Sequence, residues 1–172
     1  MAWRAACIGL LLLAAPGLQA APKAHDHGVA SLSVAIDGRT LSIEFEAPLD
    51  SLLGFERPPR TDAERRSAVM LLALLHDGVR LFVPDADARC LPQPTTLQAP
   101  ALQPGAHVAG DHADLLARIY FHCGRPQALR SLKLGLFKAF DRLQRIDVQI
   151  MGPQGPHKAS LRPPASMLNL QR

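Results

Sequence analysis

Ala30-Ser-Leu-Ser-Val-Ala-Ile36, Asp37-Gly38, Arg39-Thr40, Leu41-Ser-Ile-Glu-Phe-Glu-Ala47 is the stretch whose reading decides the fold. Ala30, Leu32, Val34 and Ile36 alternate with Ser31, Ser33 and Ala35, and Leu41, Ile43, Phe45 and Ala47 alternate with Ser42, Glu44 and Glu46. A period of two is that of a strand with one face in a core and one in water. Asp37-Gly38 between the two runs is the pair favoured by tight hairpin turns, whose central residues need positive φ. The first firm element is therefore a β-hairpin.

Downstream of it, Pro48 ends the second strand and a Pro-rich link runs over Arg57 to Arg60. Thr61-Asp-Ala-Glu64 is a capping box: the Thr61 hydroxyl can accept from the Glu64 amide while the Glu64 carboxylate reaches back. Ala68, Val69, Leu71, Leu72 and Leu75 then fall at helical spacing, and Gly78 stands where a C′ glycine would end the helix. The spacing predicts one amphipathic helix over 62–77, its stripe laid on the sheet. Val79–Val83 is a further short strand by the same reading. Period-two runs return at Ile119–Cys123, Leu132–Leu136 and Ile146–Ile150, with turn chemistry at Gly152-Pro-Gln-Gly155 and a last strand over His157–Leu161. Runs of strands around one long helix predict an α+β domain with a mostly antiparallel sheet.

Between these parts, Pro92 to Gly110 holds four prolines, two glycines, no aromatics and little charge. Such a composition buries too little apolar surface to offset the entropy of ordering. It predicts a flexible loop over 92–113.

Upstream of the hairpin, Arg4 precedes an apolar run from Ala5 to Ala15, followed by Pro16-Gly17-Leu-Gln-Ala20. A basic start, a short apolar core and a small-residue exit are the parts of a secretory signal over residues 1–20. The run is too short to span a bilayer. Residues 21–172 are then a single domain acting outside the cytoplasm, in the bacterial periplasm. Loss of the signal removes Arg4 and no acid, so a net charge of +4 becomes +3. That charge is dispersed along the chain, which argues against a nucleic-acid footprint. Cys7 leaves with the signal. Cys90 and Cys123 remain, and in an oxidising compartment two such cysteines form a structural disulfide. A redox or thiolate-metal pair is the other reading, but no C-x-x-C spacing supports it.

The chain carries no Gly-rich phosphate loop, G-x-S-x-G or H-E-x-x-H, which makes an enzyme the weaker class. Histidine is more informative, because all seven lie beyond the signal. His25-Asp26-His27 places two imidazoles at i and i+2, which project together from an extended chain. His107, Asp111 and His112 cluster in the Pro-rich loop. Imidazole and carboxylate together suit zinc, and copper(II) accepts the same donors. The plain alternative is that these are solvated surface histidines. His76 reads as the cation of a helix's last turn, His122 as exposed or ligating, and His157 as solvated.

His25-Asp-His27-Gly-Val-Ala30, Glu46-Ala-Pro48 and Leu53-Gly-Phe-Glu56 resemble the start of a known family, and Cys123, Leu132–Phe137, Ile146–Ile150 and Gln154 resemble its C-terminal half. It is a bacterial periplasmic domain-of-unknown-function family that includes the zinc-regulated periplasmic zinc-binding protein of an ABC-type zinc uptake system. The resemblance implies zinc (Zn2+) binding in the periplasm, through His25 and His27 and completed by carboxylates or by His107, Asp111 and His112, and supply of that zinc to an ABC-type importer. Two departures stand out. Relatives often carry a long His-rich stretch where this chain has Pro92 to Asp114, and many have His where it has Arg57, whose guanidinium cannot coordinate a cation. The alternatives are a structural or partner-binding envelope protein without metal, and a periplasmic copper protein. Isolated Met70, Met151 and Met167 argue against copper(I), which wants clustered sulfur.

Overall fold

The structure, a computed structural model, describes residues 26–106 and 113–171. The expected signal at 1–20, together with His25, His107, Asp111 and His112, lies outside the described residues. The elements in chain order are β1 (Val29–Asp37), β2 (Thr40–Pro48), α1 (Leu49–Leu53), α2 (Asp62–His76), β3 (Phe82–Pro84), β4 (Cys90–Pro92), β5 (Thr96–Gln98), β6 (Asp114–Cys123), β7 (Ser131–Leu134), α3 (Leu136–Ala139), β8 (Arg145–Gly152), β9 (Gly155–Leu161) and β10 (Met167–Asn169). The class is α+β, and every strand pairing is antiparallel except that of β1 with β8.

The hairpin of β1 and β2 sits in the middle of the large sheet, in the order β4-β6-β2-β1-β8-β9, with β5 also on β6. Asp37 pairs with Thr40, so the two loop residues are Gly38 and Arg39 rather than the expected Asp37-Gly38. Only Gly38 takes positive φ, 55°, as a turn with glycine at its first central position requires. A smaller sheet runs β10-β7-β3. Between the two sheets lies one core, in which Leu32, Val34, Ile43, Phe45, Ile119 and Ile150 of the large sheet meet Leu71 and Leu75 of α2 and Phe82, Leu132 and Leu134 of the small one.

Helix α2 begins at Thr61, whose side chain accepts from the Glu64 amide while Glu64 reaches back to the Thr61 amide. The same carboxylate pairs with Arg57 at 2.8 and 3.0 Å and accepts from the Arg60 amide. Hydrogen bonding by Arg57, then by the Arg60 amide, lowers the Glu64 pKa to about 2. A folded pKa below the unfolded value of about 4.3 means stability that is present above that value and lost as pH falls through the folded one. Unfolding midpoints of the parent and of Glu64→Gln should therefore differ at neutral pH and converge as pH falls from about 4.3 toward about 2. A gap independent of pH would show that the carboxylate's charge is not what holds the cap.

Several sequence expectations are corrected. Val69 is 66% exposed, so the buried stripe of α2 narrows to Ala68, Leu71 and Leu75. Gly78 is not a left-handed cap. It begins a short 3-10 turn, and a Cβ there would come within 2.9 Å of the Ile119 side chain, so close packing on the sheet explains the glycine. The strand expected from Val79 is only Phe82–Pro84. Leu136 leaves the strand and begins α3.

The described part of the Pro-rich stretch is not structureless. Strands β4 and β5 run in succession along the outer edge of β6, Pro92 opposite Phe121 and Thr96 opposite Arg118. Proline is tolerated on an edge strand because its missing N–H costs no ladder bond. Ala99 and Ala101 are buried beyond β5. Backbone pairing, which hydrophobic content does not report, orders this segment.

Candidate metal centre

The Asp26 carbonyl accepts from the Val29 amide at 3.1 Å, closing a turn with His27 and Gly28 at its centre. Gly28 has φ 80°, the value reserved for glycine at the second central position of a type II turn. A Cβ at that position would also meet the Arg142 carbonyl and the Gln144 side chain at 3.1 Å. The Gly28 carbonyl accepts from the Gln144 and Arg145 amides, and its own amide donates to Ser51, a hydroxyl wholly removed from solvent. The residues after His25 are thus a locked turn at the mouth of β1.

The turn presents His27 to α1. Pro48 ends β2 as the N-cap of the helix that starts at Leu49, and Asp50 falls in the first turn of that helix. His27 Nδ1 lies 3.1 Å from Asp50 Oδ2, with the two side chains 63% and 27% exposed. A carboxylate on one ring nitrogen fixes the tautomer and the ring's orientation, the arrangement found behind metal-binding imidazoles. Protonated at Nδ1, His27 donates to Asp50 and presents Nε2 as a free donor to a cation.

The Leu49 amide donates to the Ala113 carbonyl at 2.8 Å. Ala113 is therefore held beside Leu49, the neighbour of Asp50 in the chain. Arg145 flanks the turn, 3.8 Å from Asp26 and 3.1 Å from Asp147.

Of His25, His27, His107, Asp111 and His112, His27 is the one among the described residues. Asp50 was missed, because no pattern links it to a histidine 23 positions earlier in the chain. Among the described residues no three or more His, Cys, Asp or Glu side chains come together around one point. His76 is exposed in the last turn of α2, and His122 is exposed on β6 opposite Thr40. The expectation that His157 is solvated is corrected. It pairs with Ile150, so register turns it to the inner face, where both ring nitrogens are buried without a hydrogen-bond partner. Cys90 and Cys123 face each other across β4 and β6 and are bonded as a disulfide. No described helix is long and apolar enough to cross a membrane.

A family model described as ZrgA family zinc uptake protein matches residues 24–170. No curated protein gives a significant match. The model spans nearly all of the chain that follows the basic and apolar N-terminal run, the hairpin, the His27 turn and the disulfide-bonded strands included. The protein belongs to the ZrgA family of zinc uptake proteins.

Proposed function

We propose that this is an exported, non-enzymatic zinc-binding protein of the periplasm that captures Zn2+ as cargo and passes it to an ABC-type importer. The observation that carries the reading is the His27–Asp50 pair, held by a turn that only glycine permits, with the His27 side chain 63% exposed. Membership of a zinc uptake family supports zinc as the metal. Tetrahedral zinc takes three or four nitrogen or oxygen donors. His25 precedes the turn by one residue, and Asp111 and His112 immediately precede Ala113, which is tied to the helix that carries Asp50. In this proposal His25 and His27 make the first contacts, His107, Asp111 and His112 complete them, and Asp50 orients His27. A ligand set drawn partly from a loop exchanges metal readily, which suits a donor. Copper(I) is the weaker cargo, because Met70, Met151 and Met167 stand on three separate elements.

The test is competition for zinc against a chromogenic chelator, with the oxidised parent chain, His27→Ala and Asp50→Asn. Loss of His27 should weaken binding at least tenfold, about 1.4 kcal/mol. Asp50→Asn should weaken it by tenfold or more, as partners behind metal-binding imidazoles do. Equal affinity in all three chains would remove this pair from the site. No zinc retained by the parent would sink the function.

A further inference from the structure

The face of the large sheet opposite α2 carries a trough of about 660 Å³ to which the zinc reading assigns nothing. Its floor is made by the small outward residues of the central hairpin, Ser33, Ala35 and Ser42. Larger side chains rise on both sides, Arg118 and Tyr120 from β6 and Met151 and Lys158 from β8 and β9. Register fixes the layout: Arg118, Glu44, Ser33, Gln149 and Lys158 lie opposite one another across five strands. Four strand spacings of about 4.8 Å put the two cationic banks roughly 19 Å apart. An ordinary solvated sheet face alternates its buried residues with long polar ones. Here Ser33, Ala35 and Ser42 leave the middle low beside Glu44, and apolar Met151 stands 55% exposed on the wall.

Charge and hydrogen bonding indicate the occupant. Arg118 is paired with Glu44 at 2.7 Å, which leaves Lys158 as the net charge of the trough. Among the described residues, Lys158, Gln149 and Tyr120 make no side-chain hydrogen bond or ion pair, so these donors face the open trough without protein partners. A concavity of this volume is in the range that takes small molecules, whereas a protein partner needs about 800 Å² of surface per side. We propose that the trough binds a small amphiphilic monoanion, a carboxylate held at Lys158 with its apolar body laid over Ala35 and Met151 against the Tyr120 ring. The site is independent of the zinc ligands.

Tyr120 is the single tyrosine of the chain, which makes it a reporter confined to the trough. In protein carrying ring-labelled ¹³C-tyrosine, octanoate should move the one tyrosine signal saturably at millimolar concentration or below, and octylammonium should not. Lys158→Glu, on an exposed strand position, should weaken octanoate binding about tenfold, since charge reversal converts attraction to repulsion, with the far-ultraviolet circular dichroism unchanged. Ser33→Leu, which fills the floor, should abolish the shift. A tyrosine signal unmoved by octanoate would overturn the proposal. So would equal responses to octanoate and octylammonium, or an unaltered affinity in Lys158→Glu.

Discussion

A chain in which Cys90 and Cys123 are both replaced by Ala should unfold with about 3.7 kcal/mol less stability than the oxidised parent, from the entropy regained by the opened loop. The two cysteines are 33 residues apart in sequence and face each other at the end of β6. The segment they close holds β4, β5 and β6, and β4 and β5 pair with the domain along one edge of β6 only. In the denatured chain nothing else confines that segment. For a domain of this size the loss corresponds to a fall in melting temperature of roughly 10 °C. Urea unfolding with and without a thiol reductant measures it, and the double variant should be insensitive to the reductant. A difference below about 1 kcal/mol would sink the loop-closure account.

The second large effect is expected from Phe45→Ala. Phe45 has no exposed surface, its ring lies 6.5 Å from that of Phe140 with planes 11° apart, and 6.3 Å from that of Phe82 at 60°. These rings come from β2, from the end of α3 and from β3, so one side chain joins the large sheet to the small one. Truncation removes the burial and leaves a cavity that three separate elements would have to move to fill. The cost should be about 3–5 kcal/mol, read as a lowered urea midpoint with an unchanged slope. Val69→Ala, equally apolar but 66% exposed, should change stability by less than about 0.5 kcal/mol. A small cost at Phe45 would mean that the two sheets are not coupled through these rings.

The contrast between Phe45 and Val69 shows how far the sequence could be read. Period-two alternation found the hairpin and β8 because it reports which side of a strand meets the core, and a capping box declares itself within four residues. Helical spacing placed Val69 in the stripe because 3.6-residue periodicity sets an angle but not the width of the buried face. Gly78 was read through its backbone freedom, yet its reason lies in Ile119, on a strand 41 positions later. The candidate site divides the same way. The two histidines of the opening motif were visible, while Asp50 joins His27 only once β2 returns along β1 and α1 starts beside the turn. The trough was invisible as well, since its floor reads in one dimension as the polar half of a strand.

The parallel pairing of β1 with β8 has a consequence for the order of folding. Val29 meets Arg145 and Ala35 meets Met151, so the first strand of the domain gains one of its two neighbours only from its last quarter. Contacts so distant in sequence slow folding, because the intervening chain must be confined before they form. A chain emerging from its N-terminus cannot complete the central sheet until residue 151 is available. The hairpin of β1 and β2 has both edges bare until β6 pairs with β2, and a hairpin alone is marginal in water; β1 then keeps its bare edge until β8 arrives. The sheet around β1 is therefore complete only when β8 docks.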